Sequence, residues 1–271
     1  MTFSIVARSE DGASWGVAVA SKFLAVGSPV PAAIAGVGAI ATQAEANVAY
    51  KPLGLALLDE GATAEVALAR LTEDDDGRER RQVGIVDADG GAATYTGSEC
   101  YSWAGGQTGP GVSIQGNILT GPEVVAAMMD AWRSSDPSAP LARRLLAALV
   151  AGDEAGGDKR GRQSAALFVV SEGAGYGGGD DIAVDLRIDD HPAPCGELTR
   201  LLDLNDLYLT ASTEEEKVPL TAQLRSELDD RAERLGHPDF LSWVGTENYE
   251  MRVGDDFVDK KVLAILRDAT A

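Results

Sequence analysis

A strand pattern begins at the second residue and doubles back at once. Thr2-Phe3-Ser4-Ile5-Val6-Ala7 intermixes polar and apolar positions, Asp11-Gly12 supplies a turn, and Trp15-Gly16-Val17-Ala18-Val19-Ala20 reads as the returning strand. Chain termini usually fray. A strand that starts this early must therefore be held by a sheet, and residues 38–42 supply a further apolar strand for it.

Helical spacing follows. Residues 52–60 carry Leu53, Leu57 and Leu58 on one face and stop at Gly61. Thr63 caps a second helix whose stripe is Val66, Leu68 and Leu71, ending at the acidic run 73–76. Strands are predicted at 82–86 and 92–95, around the turn Asp89-Gly90, and at 112–116. Pro122 starts a helix over 122–132, and residues 141–151 form another with Leu145, Leu146 and Leu149 on one face. Strands at 164–170 and 182–188 complete the series. Strands, a helix pair, strands, a helix pair and strands predict an α+β fold, with two stacked antiparallel sheets and helix layers outside them. A doubly wound βαβ arrangement is not expected.

The composition shifts near residue 210, which divides the chain into a domain over 1–210 and a small appendage over 211–271. The appendage reads as helical. Residues 220–235 form a strongly charged amphipathic helix, and 240–244 and 258–266 add short apolar faces. The roughly fifty residues from 220 onward form too small a core to be very stable alone.

The charge balance excludes several function classes. Forty-three acids against 23 bases, six Lys and 17 Arg, give a formal charge of −20. Phosphate is repelled by such a surface, so no nucleic acid partner is expected. An acid-rich, Lys-poor surface also suits a high-salt cytoplasm, which makes a halophilic source an expectation. No apolar run reaches the ~18 residues of a membrane helix, and no basic region precedes an apolar stretch at the start. The expectation is a soluble cytoplasmic protein with no membrane partner. Cys100 and Cys195 form no C-x-x-C pair, and only His191 and His237 are available as imidazole ligands. No cofactor and no metal is expected.

Chemistry concentrates at strand ends. Removal of Met1 leaves Thr2 with a hydroxyl and a free α-amine on one residue. An amine of reference pKa ~7.7–8.0 can take the hydroxyl proton near neutral pH. The alternative is a trimmed, inert terminus. Ser21-Lys22, Gln43, Asn47 and Gln115-Gly116-Asn117 cluster at the ends of the predicted strands. Gln43 and Gln115 are candidates for substrate binding, against the alternative that these amides cap turns. The segment 156–164 holds Lys159, Arg160 and Arg162 in an otherwise acidic chain. Asp158, Arg160 and Arg162 are candidates for recognising a carboxylate or phosphate on a substrate, or else form a structural ion network. This segment lacks the G-K-[ST] ending of a phosphate loop, which excludes a nucleotide hydrolase. Asp185, Asp189, Asp190 and His191 are the alternative metal-ligand set. Asp185 and Arg187 share one strand face, where local pairing competes with that reading. The run 175–179 reads as a flexible turn.

The opening hairpin resembles that of the N-terminal-nucleophile (Ntn) hydrolases, in which a terminal Thr, Ser or Cys starts a strand and a Gly-Val-x-x-Ala-type strand returns beside it. Residues 2–7, 16–27, 41–47, 115–117, 157–165 and 185–191 further resemble one bacterial and archaeal family of unknown function assigned to that fold. Its members open with a Thr-Phe/Tyr-Ser-Ile-Val-Ala strand, and the likeness covers roughly residues 1–210. The resemblance implies a four-layer αββα sandwich and an amidohydrolase acting through Thr2 and an acyl-enzyme. Its substrate would be a small-molecule or peptide amide. By analogy with related Ntn enzymes, Lys22 is the candidate basic residue beside Thr2, and Asn47 and Asn117 are the candidate oxyanion donors. The appendage resembles a peptidoglycan-binding module sometimes attached to this family. Homo-oligomer formation and a lid are its alternative roles. A non-catalytic ligand-binding protein that keeps the fold and Met1 is the alternative for the whole chain.

Overall fold

The computed structural model describes residues 2–271. The chain forms two compact units, Met1–Leu201 and Leu202–Ala271.

In chain order the first unit contains β1 (Thr2–Arg8), β2 (Ser14–Ser21), β3 (Pro31–Ile34), β4 (Gly38–Ala44), α1 (Tyr50–Asp59) and α2 (Ala64–Glu73). It continues through β5 (Arg81–Asp87), β6 (Ala92–Thr96), β7 (Gly105–Gly109), β8 (Val112–Asn117), α3 (Glu123–Ser134) and α4 (Leu141–Glu154). Strands β9 (Ser164–Ser171) and β10 (Ile182–Ile188) lead to α5 (Pro194–Leu209), inside which the division between the units falls. The result is a mixed α+β fold with two antiparallel sheets. One has six strands in the order β10-β9-β2-β1-β8-β7, and the other has four in the order β3-β4-β5-β6.

Alternation along β1 and β4 explains the packing. Val6, Val17 and Val19 of the six-stranded sheet meet Ala39, Ala41 and Val86 of the four-stranded sheet in one buried cluster. The opposite faces are covered by helices. Ile40, Val83 and Ile85 pack on Tyr50, Leu55, Leu58, Ala67 and Leu71 of α1 and α2. On the other side α3 and α4 pack on each other, and α4 lies against β1 and β2. Phe3 and Met128 crowd Gly152 of α4 there, where an added methyl would sit 2.6 Å from Met128 Cγ. Each fully buried Val, Leu or Ile contributes about 1.5–3 kcal/mol. The two faces of each sheet therefore specify which way every strand turns its side chains. Thr63 caps α2 as predicted, its side chain accepting from the Val66 N–H.

The second unit contains β11 (Lys217–Pro219), α6 (Ala222–Arg234), α7 (Phe240–Glu247), β12 (Phe257–Asp259) and α8 (Lys260–Ala269). It is not purely helical, because β11 and β12 pair antiparallel. Leu228, Phe240, Trp243, Val258, Val262 and Leu266 make its core. Buried Arg252 donates to Asp259 at 3.0 Å and to Glu216 at 3.1 Å, and also to the Asp206 carbonyl. Among the described residues no helix is long and apolar enough to cross a membrane.

Candidate functional site

Strand β1 lies between β2 and β8, so Thr2 is held from both sides. It stands opposite Asn117 of β8, and Phe3 stands opposite Ala20 of β2. The Thr2 side-chain oxygen is 3.1 Å from Ser21 Oγ, and Thr2 is 6 % exposed. Period-two alternation points Thr2, Ser4 and Val6 toward the four-stranded sheet. The facing residues on β8 are Asn117, Gln115 and Ser113, all buried. The space between the sheets thus has an apolar half under β2 and a polar half under β8, and Thr2 sits at one end.

The polar half is a closed network. Ser4 Oγ donates to Gln43 Oε1 at 2.7 Å, and Gln43 Nε2 donates to Gln82 Oε1 at 2.8 Å. Asn117 Nδ2 donates to the same Gln82 oxygen at 2.8 Å. Gln82 Nε2 in turn donates to the Gly116 carbonyl at 2.7 Å and to Thr96 Oγ1 at 2.9 Å. Gln115 Nε2 donates to Ser4 Oγ at 2.7 Å, and Ser113 Oγ donates to Gln115 Oε1 at 2.9 Å. Longer contacts of 3.4 Å run from Gln43 and Asn117 to the Thr2 carbonyl. Gly84 leaves room for this network, since a methyl there would lie 2.1 Å from Gln115 Oε1. Sequence reasoning selected Gln43, Gln115 and Asn117 but missed Gln82 and Ser4. Their signal was a polar side chain on the inward face of an otherwise apolar strand.

A second group lies beside the end of β2. The Lys22 N–H donates to buried Asp158 Oδ2 at 2.6 Å, and Asp158 bridges to Leu119 just beyond β8. Asp158 thereby ties the loop 156–161 to the end of the sheet that carries Thr2. Arg160 of that loop and Arg162 just after it are engaged within the protein. Arg160 pairs with Asp158 at 3.3 Å, and Arg162 grips Asp153 at 2.7 Å. Lys22 Nζ donates to the Arg162 carbonyl at 3.3 Å.

Asn47 belongs elsewhere. Its amide donates to Asp75 Oδ2 at 3.0 Å and its carbonyl oxygen accepts from the Ala49 N–H, so it organises the start of α1. The amide that joins Asn117 below Thr2 is Gln82. Asn47 also lines a groove of about 440 Å³ between α1 and α2, along with Tyr50, Leu57 and Leu71. Asp75 closes this corner by accepting from Arg81 Nε at 3.0 Å, Tyr50 Oη at 2.8 Å and the Gly77 N–H at 2.7 Å. The Arg81 hydrogen bond, helped by Asn47, Tyr50 and Gly77, outweighs burial and holds the Asp75 carboxyl well below the usual carboxylate range. Burial, then the bond to Asp75, pushes the Tyr50 hydroxyl well above its ordinary value.

A depressed carboxyl stabilises the fold above its unfolded pKa of ~3.9 and loses that contribution as pH falls through the folded value. The stability difference between wild type and Asp75→Asn is therefore expected to favour wild type above pH ~4 and to shrink below it. Thermal unfolding of both proteins between pH 2 and 6 checks this, and a difference that is flat with pH would refute it.

The alternative metal-ligand set is not assembled. Asp185 is held by Arg187 through contacts of 2.9 and 3.0 Å, His191 Nδ1 accepts from the Ala193 N–H, and Asp190 accepts from Gln163. Among the described residues no three His, Cys, Asp or Glu side chains come together as a metal site. Cys195 is buried, which pushes its thiol well above the ordinary range.

The family model described as "Family of unknown function (DUF1028)" matches residues 2–198. A crystal structure of protein SPO2555 from Silicibacter pomeroyi, assigned to the same family model, is 34 % identical to the chain. The match covers 76 % of this chain and 89 % of that one, with a TM-score of 0.68. Anbu (ancestral beta-subunit) from Yersinia bercovieri is 12 % identical over 75 % of this chain and 94 % of its own, with a TM-score of 0.33. None of the curated proteins matches.

Proposed function

Since the chain belongs to the DUF1028 family of unknown function, we propose that it is an Ntn hydrolase that cleaves the amide C–N bond of a small molecule or short peptide. The observation that carries this reading is the position of Thr2. Its hydroxyl is fixed on a strand paired on both sides, beside Ser21 and at the end of a buried amide network. Two facing antiparallel sheets with helix pairs outside them support the αββα arrangement that such an enzyme requires.

The chemistry starts when the Met1–Thr2 bond is cleaved. With that bond intact the Thr2 nitrogen is an amide and cannot act as a base. Once free, the α-amine takes the hydroxyl proton as Oγ1 attacks the substrate carbonyl. Collapse of the tetrahedral intermediate breaks the C–N bond, the proton passes to the leaving amine, and an acyl ester remains on Oγ1. Water, activated by the same amine, then releases the acid. An oxyanion donor contributes about 3–4 kcal/mol to such a reaction. Asn117 Nδ2, 3.4 Å from the Thr2 carbonyl, is the amide candidate, and it must turn from Gln82 to serve. Lys22 is the candidate for stabilising the deprotonated hydroxyl, with its Nζ released from the Arg162 carbonyl. Arg160 and Arg162 would recognise an anionic substrate group only by exchanging their internal carboxylates for it.

One observation favours a second reading, a ligand-binding protein without turnover. The amides around Thr2 are already hydrogen-bonded to one another, and the groove lined by Asn47 does not include Thr2 in its walls. Intact-mass measurement on protein from its native source separates the two. A mass lacking Met1, with release of amine from an amide panel rising through pH ~7.7–8.0, supports the hydrolase. Retention of Met1 with ligand binding but no release supports the binding protein.

A further inference from the structure

At the far end of β1 the chain builds a second feature that the Thr2 chemistry does not use. Arg8 ends β1, and its guanidinium spans two turns. A methyl built on Gly12 would lie 2.0 Å from Nη2, and one on Gly90 would lie 3.6 Å from Nη1. The same guanidinium sits 5.7 Å above the Trp15 ring, and its Nε is buried with no hydrogen-bond partner. Arg144 of α4 is 7 % exposed and stacks 3.8 Å over Trp132. Its polar contacts are all neutral: Ser135 Oγ at 2.9 Å, the Pro137 carbonyl at 3.4 Å and the Trp132 carbonyl at 3.5 Å.

Among the described residues neither guanidinium has a carboxylate within 4.0 Å. In a chain of net charge −20 this sets them apart from Arg81, Arg162, Arg200, Arg231, Arg252 and Arg267, each of which holds a carboxylate. Arg8 and Arg144 line one pocket of about 230 Å³ together with Gly90, Gly111 and Trp132. Buried cations without a counter-charge are costly. Burial lowers the Arg144 pKa, and Glu10 and Asp136 offset this only through longer-range attraction.

We propose that this pocket binds a small oxyanion, a carboxylate or phosphate group held between the guanidinia of Arg8 and Arg144. Planar guanidinium forks match both groups. Two acids, Glu10 and Asp89, also line the pocket and are exposed. Their negative charge disfavours polyanions most, so the group expected is a small one. The site is independent of Thr2, since Arg8 and Thr2 stand at opposite ends of β1.

The two tryptophans under the guanidinia supply the readout. Sodium phosphate, and separately sodium acetate, would replace sodium chloride at fixed ionic strength while tryptophan fluorescence of the full chain is followed. The expected result is a saturable change with at least one of them, which also says whether phosphate or carboxylate is the preferred group. Arg8→Gln, at a partly exposed position, is expected to raise the midpoint about tenfold, and Trp132→Phe to remove most of the signal. Arg144→Gln tests the buried partner if it folds; Arg8→Gln decides the matter if it does not. No saturable change in wild type, or a midpoint left unaltered by Arg8→Gln, would overturn the proposal.

Discussion

A Thr2→Ala variant, produced so that Met1 is removed, is expected to lose amide turnover by at least ~10⁴-fold. Its fold should survive. The substitution removes the hydrogen bond to Ser21, whose net contribution is about 1 kcal/mol. The β1 backbone stays paired with β2 and β8. Thr2→Ser keeps a hydroxyl on the same residue and is expected to restore most of the activity. Turnover and unfolding must be measured on the same preparations. Undiminished turnover in Thr2→Ala would remove Thr2 from the mechanism, whereas equal losses in Thr2→Ala and Thr2→Ser would point to positioning of the strand.

The second large effect is on stability. Gln82 is fully buried and serves four partners at once: the amides of Gln43 and Asn117, the carbonyl of Gly116 and the hydroxyl of Thr96. Leucine fills a similar volume but takes its partner from all four, leaving the Gln43 and Asn117 amides only contacts of 3.3–3.4 Å to backbone carbonyls. Each such group costs about 1–3 kcal/mol, so Gln82→Leu is expected to lose about 3 kcal/mol or more. A midpoint shift of roughly 6–12 °C corresponds to that loss in a unit of this size. Gln82→Glu keeps the acceptor for Gln43 and Asn117 but loses the donor to Gly116, and adds a buried charge. It is expected to be destabilised at neutral pH and partly relieved in acid, where protonation restores a donor. A Gln82→Leu loss below ~1 kcal/mol would mean that the network relaxes around the gap.

Much of this architecture was legible in the sequence, for identifiable reasons. Strands such as residues 82–86 and helices such as 141–151 bury one face, so their apolar spacing announces them. Several elements escaped, β11 and β12 of the second unit among them. β3 opens on Pro31 and has only four residues. β7 reads Gly-Gly-Gln-Thr-Gly and has no apolar residue, so it is a strand only because β8 pairs with it at the edge of the sheet. The start of α5, Pro194-Cys-Gly, is a poor helix signal. The candidate site was half legible. Gln43, Gln115 and Asn117 stood out as polar groups at strand ends, while Asn47 has the same chemistry and a local capping role. The difference lies in strand register, because only residues facing inward at matching positions of β4, β5 and β8 meet. Gln82 became visible only when β5 was placed opposite β4, with Gln43 and Gln82 as direct partners.

The placement of β1 also bears on how the molecule is assembled in time. Its inner partner β2 is close in sequence, but its other partner is the strand ending at Asn117, and β2's outer partner begins at Ser164. Until those later segments have been made, the first hairpin has two open edges and cannot bury its faces. Pairings this distant must close long loops before they are rewarded, which slows folding and exposes intermediates to aggregation. Thr2 therefore gains its fixed surroundings late, after the sheet has closed around it. A nascent chain that stops short of β8 would carry its hydroxyl on an edge strand, in water and without the buried amides.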